Sequence, residues 1–550
     1  METDAEIARR IRLKPIGEIA GALGVPEAHL IPYGRYAAKI DASFLAEIKG
    51  RPDGRLIVVT AMSPTPEGEG KTTLTIGLAQ SLRLLGKKTV AAIRQPSLGP
   101  FFGTKGGATG GGFSQVHPAD DIALHFTGDD HAVATGHNLI SSLIDNHIYH
   151  AKLPGLDQGR IAWGRASALN DRALRDVRVG LGREDTERPD RFQISASSEV
   201  MSALCLAISL EDLRGRIGRM LLAFTRDGTA FTAEDLKAAG SATALLRYAI
   251  HPNIVQSTEG VPVFVHGGPF GNVSIGCSSL MATKLAMKLG DYVVTEAGFA
   301  TDLGAEKFFD LKCRAGGIRP SAAVIVATLR SLRYHGGAKD YHLPDMEAAI
   351  RGLDNLDKHV ENMAEFKVGA LVVINRYADD PAGELEAVKK SIEGRGVAVC
   401  VATVRQDGGA GGLEAARSLI KLCEAENSFR FLYERDATFE SKVMTIAQRI
   451  YGADGVVFTD RARRDLASLE SAGLGGLPVC MAKTHRSLSD DSKLIGRPRN
   501  FNITVNAIGA AAGAGFLVAY CGSILLMPGL SADPRASHID VDINGHITGV

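Results

Sequence analysis

The stretch that most narrows the fold is residues 56–93, where two apolar runs flank a glycine-rich turn and an amphipathic helix. LIVVTAMS (56–63) is an uninterrupted apolar run of strand length, the pattern of a strand covered on both faces. Leu74, Leu78, Leu82 and Leu85 then recur at helical spacing, and Gly86 ends the helix. TVAAI (89–93) is a second buried strand. Strand, helix and strand make a βαβ unit, whose right-handed crossover is expected to set the second strand beside the first in a parallel sheet. The alternation returns in GALVVINRY up to Tyr377, helical EAVKKSIEG, the strand VAVCVATV to Val404, and helical LEAARSLIKLCE. The expected fold class is α/β, with a P-loop NTPase-like, doubly wound, mainly parallel sheet. A chain of 550 residues exceeds one ordinary core. A large N-terminal domain over 1–350 is expected, with smaller α/β domains over 351–455 and 456–550.

The turn inside the first unit is TPEGEGKTT (65–73), with Gly70, Lys71 and Thr72 in the order of a phosphate-binding loop. Gly68 and Gly70 let backbone amides approach phosphate oxygens, and the following helix turns its positive end toward the same anion. Lys71 is placed to neutralise the outer phosphates and the Thr72 hydroxyl to ligate magnesium. Thr65 stands where the usual pattern has its first glycine. The candidate MgATP contacts are Thr65, Pro66, Glu67, Gly68, Glu69, Gly70, Lys71 and Thr72. A coincidental turn is the bland alternative, and the strand before and helix after it favour nucleotide binding.

Charge and composition exclude several other classes. Lys+Arg and Asp+Glu are both 62, so no net charge attracts a nucleic acid. The N-terminus lacks the apolar core of a leader, and no later run has membrane-spanning length, so a cytoplasmic protein is expected. The seven cysteines lie scattered, which reads as reduced core residues. Of the histidines between His117 and His150, only His147 and His150 share a helix face, and no carboxylate completes a metal set there.

The second strand runs into RQPSLGPFFGTKGGATGGGFSQVHPADDIALHFTGDDHAV (94–133). Further on come SSEVM (197–201), VHGGPFGN (265–272), TEAGFATDLGAEKFFDLKCR (295–314), PVCMAKT (478–484), GAGF and MPGL. These motifs resemble those of the formate–tetrahydrofolate ligases along nearly the whole chain. The resemblance implies ATP-dependent ligation of formate to tetrahydrofolate through formyl phosphate, giving 10-formyltetrahydrofolate, ADP and phosphate. It gives 1–350 the nucleotide and formyl phosphate, 351–455 part of the folate pocket, and 456–550 the closing of the nucleotide site.

The residues suit that chemistry. Formate must approach an anion more charged than itself, so cations have to offset the repulsion. Arg94, at the end of the second strand, can grip a carboxylate or acyl phosphate at two points while Lys71 supports the phosphoryl group. Asp129 in FTGD is a candidate to orient or deprotonate the acceptor amine, with helix capping an equal alternative. Arg94, Gln95, Thr127, Glu296, Tyr377 and Arg405 are the implied substrate contacts. Glu296, Asp302, Glu306 and Lys307 follow an apolar strand, where sites of open α/β sheets collect. Pro528 and Gly529 resemble the family segment that closes over adenine. A homotetramer and a monovalent cation, potassium or ammonium, are also implied.

Several motif positions depart from the family. Gln95 replaces the usual glutamate and removes one negative charge. Ser274, Ile275 and Gly276 replace Ala-His-Gly, and His485 and Arg486 replace Gln-Tyr. Tyr377 and Arg405 stand where phenylalanine and tryptophan sandwich the pterin; Arg405 offers a cation instead of an indole. Trp163, the single tryptophan, is expected in packing. Two alternatives stay open: a paralogue that makes an acyl phosphate but uses another acceptor or carboxylate, and a non-ligase P-loop protein of regulation or metal delivery. Arg94 and the long glycine loop speak against the second.

Overall fold

The computed structural model describes residues 3–103, 109–152, 155–182, 186–543, 545 and 547–549. Residues 104–108 of the glycine-rich stretch GTKGGATGGG (103–112), which follows a strand and reads as a functional loop with a flexible linker as the bland alternative, lie outside them. The core is a twelve-stranded sheet. Its strands are β1 (Leu30–Pro32), β2 (Ala38–Ile40), β3 (Arg55–Ala61), β4 (Thr89–Ile93), β5 (Gly110–Gly111), β6 (Ser114–His117), β7 (Asn253–Ser257), β8 (Pro262–Val265), β9 (Tyr292–Glu296), β10 (Ala322–Ala327), β11 (Ala370–Asn375) and β12 (Val399–Ala402). Across the sheet the order is β1-β2-β7-β8-β4-β9-β3-β10-β11-β12, with β6 on β7 and β5 on β6. Every neighbouring pair from β8 to β12 is parallel.

The central strands are apolar along most of their length because both faces are covered. Leu56 and Val58 of β3 enter one hydrophobic core with the helix Leu280–Leu289. Ile57, Val59 and Ala61 enter the other with helix α2 (Lys71–Leu84). Successive side chains of a strand point to opposite faces, so an uninterrupted apolar run is what a doubly wound sheet requires. The remaining helices used below are α1 (Asp4–Arg10), α3 (Asp129–Tyr149) and α4 (Glu199–Leu206).

Two expectations need correction. β3 and β4 are parallel but not adjacent, because β9 lies between them and pairs with both. The handedness rule fixes the side to which a crossover turns, and leaves room for a later strand to insert. Nor do residues 351–455 build a sheet of their own: β11 and β12 extend the main sheet beyond β10. Strand ends also shift, since β11 stops at Asn375 and Val404 begins a short helix, leaving Tyr377 in a loop.

The C-terminal segment does carry its own sheet, formed by β13 (Gly455–Phe458), β14 (Val479–Ala482), β15 (Asn502–Ala511) and β16 (Phe516–Cys521) in the order β13-β15-β16-β14. The turn from β15 to β16 docks on α4. Glu199 accepts hydrogen bonds from the amides of Gly513 (2.6 Å) and Ala514 (3.4 Å), and Arg216 donates to the Ala514 carbonyl. Position 513 requires glycine, because a Cβ there would lie 2.3 Å from the Arg216 carbonyl oxygen. All seven cysteines are buried and unpaired.

Burial pushes the Glu199 carboxyl up to about 8, against the lowering effect of the two amides. A carboxyl raised on folding binds its proton more tightly in the folded state. Its contribution is therefore complete below the ordinary value of 4.5 and is lost as pH rises to about 8. Glu199→Gln keeps an acceptor for the amides and does not ionise. Thermal unfolding from pH 5 to 9 should show the wild type losing Tm relative to the variant as pH rises; parallel curves refute the linkage.

Candidate active site

The order β4-β9-β3 brings three strand ends together at the carboxyl edge of the sheet. β3 runs into the phosphate loop, β9 ends on Glu296, and β4 is followed by Arg94. Glu296 therefore stands between the other two. Its Oε2 accepts from the Thr72 hydroxyl at 2.7 Å, and its Oε1 lies 3.5 Å from Arg94 Nε. The carboxylate is 1% exposed, whereas Arg94 keeps 27% of its side chain open to solvent. Such a buried acid is stabilised only while its partners remain beside it.

Gly68 and Gly70 of the phosphate loop have φ of 93° and 70°, in the left-handed region that glycine tolerates best. Gly70 caps α2, and Lys71 is its first residue. The fourteen-residue helix presents its unpaired amides to the loop. Those amides, the left-handed turn and Lys71 fit the phosphates of a nucleotide. Thr72 and Glu296 together offer the oxygen donors that suit a hard divalent cation.

The two acids of the loop have other work. Glu69 is buried, accepts from the Thr65 amide (2.7 Å) and from the Thr328 hydroxyl (2.6 Å), and its carbonyl takes a bond from Asn375 Nδ2. It braces the loop from behind. Glu67 is half-exposed and pairs with His342 at 3.1 Å. Asn375, Thr328 and Glu69 belong to the cradle's support, and their role was not visible before the strands were assembled.

Asp129 is the first residue of α3 and is buried. Both oxygens are bonded to Lys39 Nζ, at 2.8 and 2.9 Å, and Oδ2 also accepts from Asn253 Nδ2 at 2.9 Å. Thr127 donates to Asn253 Oδ1 at 2.8 Å. The two motif residues are thus joined through Asn253, which begins β7 opposite the last residue of β8. Lys39 was detectable in the sequence only as a charge inside the apolar strand β2.

Of Glu296, Asp302, Glu306 and Lys307, it is Glu296, the last residue of β9, that meets Thr72 at the end of the phosphate loop. Asp302 forms a buried ion pair with Lys483 at 2.7 Å. Lys307 donates to the carbonyls of Gly271 and Asn272. The Glu306 carboxyl is enclosed, and burial raises it well above the usual range. Lys307 thus holds the loop of VHGGPFGN and Asp302 the C-terminal sheet, while both Glu306 oxygens are without a hydrogen-bond partner. Gln95 donates its amide to Gly267, and its side chain is buried with Oε1 unpartnered.

The expected pterin walls are each engaged elsewhere. Arg330 stacks 4.2 Å above the Tyr377 ring, and Arg405 pairs with Asp4 at 2.8 Å. The segment around Pro528 and Gly529 rests on Arg172 and Arg175; Arg175 Nε donates to the Met527 carbonyl at 2.9 Å. Trp163 is packed, as expected, against His137 with ring centres 4.2 Å apart.

Lys39→Met strands a buried carboxylate at the start of α3. Breaking such a pair from one side costs about 3–5 kcal/mol, and Lys39→Met/Asp129→Leu should recover most of it. Denaturant unfolding checks this; additive single-variant losses contradict the coupling.

The strand order sets the turn that fits phosphates beside the Arg94–Glu296–Thr72 row. Residues 2–550 match the family described as formate–tetrahydrofolate ligase, and the chain belongs to that family, whose members join formate to tetrahydrofolate at the expense of ATP to give 10-formyltetrahydrofolate.

Proposed function

We propose that the ligation runs through formyl phosphate and that Lys71, Arg94 and Glu296 organise its formation. The observation that carries this reading is the single carboxylate of Glu296 reaching both Thr72 and Arg94 across adjacent strands. A formate oxygen attacks the terminal phosphorus of ATP and ADP leaves. Lys71 offsets the charge of the phosphoryl group in transit, and Arg94 holds the formate carboxylate against electrostatic repulsion. Magnesium, held by the Thr72 hydroxyl, would supply charge neutralisation at the phosphates. In the second step the folate amine attacks the formyl carbon and phosphate departs.

Several finer assignments belong to the same proposal. Thr127 and Asp129 shape the acceptor side through Asn253, and Pro528 and Gly529 border the nucleobase. Gln95 leaves a neutral, unpartnered oxygen where the family has a charge. A potassium or ammonium ion there would be held less strongly than by a carboxylate. A cytoplasmic homotetramer is the assembly this reading carries. No helix among the described residues is long and apolar enough to cross a membrane.

Tyr377 and Arg405 follow the neighbouring strands β11 and β12, and we assign them to the pterin. Arg405 gives up a half-exposed ion pair to serve there, a pair worth about 0–1 kcal/mol. The exchange is therefore inexpensive, but a guanidinium buries less apolar area than an indole.

Arg94→Lys keeps the charge and loses the planar two-point grip. Formate-dependent ADP formation should fall at least a hundredfold with ATP affinity nearly unchanged; an unaltered rate removes Arg94 from the mechanism. Arg405→Trp should tighten tetrahydrofolate roughly tenfold, given stacking of about 1–3 kcal/mol. Titration reads this directly, and unchanged or weaker binding removes Arg405 from the pterin site.

A further inference from the structure

The transfer step releases a proton from the acceptor amine, and Asp129 is poorly placed to take it. Its two oxygens already accept three hydrogen bonds, two of them from a buried ammonium. The next residue differs sharply. Asp130 is 6% exposed, and neither of its carboxylate oxygens has a hydrogen-bond partner. The Ser195 hydroxyl lies near enough to favour its charged form, but makes no well-aligned hydrogen bond to it and has no other partner.

Further uncommitted polar atoms lie on the segment after β4 and on the one that carries Ser195. Gln95 Oε1, Ser97 Oγ and Ser197 Oγ are enclosed and unpartnered. Buried polar groups are nearly always satisfied, so a group of such atoms marks a place built for a ligand. These segments adjoin one another and the residue after Arg94. Gln95 donates its amide to Gly267, Phe270 donates its amide to Ala196, and Gly99 packs against Ile194. The 267–270 loop is thus gripped by the Arg94 segment on one side and the Ser195 segment on the other.

We propose that Asp130, and not Asp129, is the catalytic residue that accepts the acceptor amine's proton, a proposal that rests on the formyl phosphate reading above. The amine nitrogen forms its bond to the formyl carbon, and the carbonyl electron pair moves onto oxygen. That pair returns as the carbon–oxygen bond to phosphorus breaks, and phosphate leaves with the bonding pair. The proton on nitrogen passes to the Asp130 carboxylate, which later releases it to water. Asp129 is a positioning residue: locked to Lys39, it fixes the first turn of α3 from which Asp130 projects.

The surroundings suit a base at neutral pH. Burial first, and the Asp129 charge in addition, push Asp130 up to about 6, while Ser195 acts in the opposite direction. Among the elements packed on α3, β2 supplies Lys39, already engaged by Asp129. α4 supplies Glu199, committed to the Gly513 amide. The strand Arg165–Ser167 supplies Arg165, committed to Asp190 and Asp145. The helix Ala239–Leu245 brings no ionisable side chain.

The test separates the two half-reactions. Formate-dependent positional isotope exchange in ATP, without folate, reads formyl phosphate formation; 10-formyltetrahydrofolate production reads transfer. Asp130→Asn should retain the exchange and lower transfer roughly a hundred- to ten-thousandfold, the usual size of a general-base contribution. Asp130→Glu should restore part of it. The wild-type transfer rate should decline as pH falls through about 6, with no such limb in the exchange. Near-normal transfer in Asp130→Asn, or equal loss of both half-reactions in a folded variant, overturns the proposal. If Asp130→Asn does not fold, the wild-type profile decides: a transfer rate flat from pH 5 to 8 overturns it. Absence of exchange in the wild type instead defeats the formyl phosphate reading.

Discussion

A buried carboxylate at the heart of an anion-handling site is an electrostatic contradiction, and the arrangement around Glu296 resolves it. An acid enclosed at 1% exposure is costly unless donors surround it. The Thr72 hydroxyl meets one oxygen, and Arg94 lies beside the other. In return Glu296 holds the start of α2 and the end of β4 in register. Arg94 thus keeps its orientation before any substrate arrives, and orientation in place is cheaper than orientation acquired during reaction.

The same device recurs one layer out. Lys39–Asp129, Lys483–Asp302 and Arg333–Glu384 are nearly inaccessible ion pairs joining segments far apart in sequence. Their net contribution to stability is small, because desolvation offsets most of the attraction. What they supply is geometry. Asp129 cannot turn without exposing Lys39 to an apolar interior, and Asp302 ties the loop after β9 to the C-terminal sheet. Glu199 contributes a fourth tie, neutral through much of the physiological range, between α4 and the turn after β15.

Two of the departures from the family, Tyr377 and Arg405, fall where the structure is least committed, whereas Gln95, Ser274 and Ile275 are buried. Tyr377 lies in a loop and Arg405 in a short helix beyond the strands, and their contacts with Arg330 and Asp4 are partly open to water. Such contacts exchange readily for a ligand. The Gly112 amide bonds to the same Asp4 carboxylate, at 2.9 Å, so a movement of Arg405 also reaches α1 and the glycine stretch. The phosphate cradle, held from behind by Glu69, Thr328 and Asn375, has no comparable freedom.

The sequence by itself determined the βαβ unit, the phosphate loop and the position of Arg94, because each follows from local periodicity and from bonds between residues near in the chain. Apolar runs such as LIVVTA and TVAAI, each bounded by turn residues, read as strands covered twice, and a glycine turn between strand and helix exposes amides whatever lies around it. Tertiary structure alone decided that β9 inserts between β3 and β4, that β11 and β12 join the main sheet, and that Glu296 separates itself from Asp302, Glu306 and Lys307. It also decided that Asp129 is bound to Lys39 while Asp130 is left unpartnered. Two adjacent aspartates look alike in a sequence. Which of them meets a lysine ninety residues away depends on strand order and on the direction a helix enters, and neither property is local.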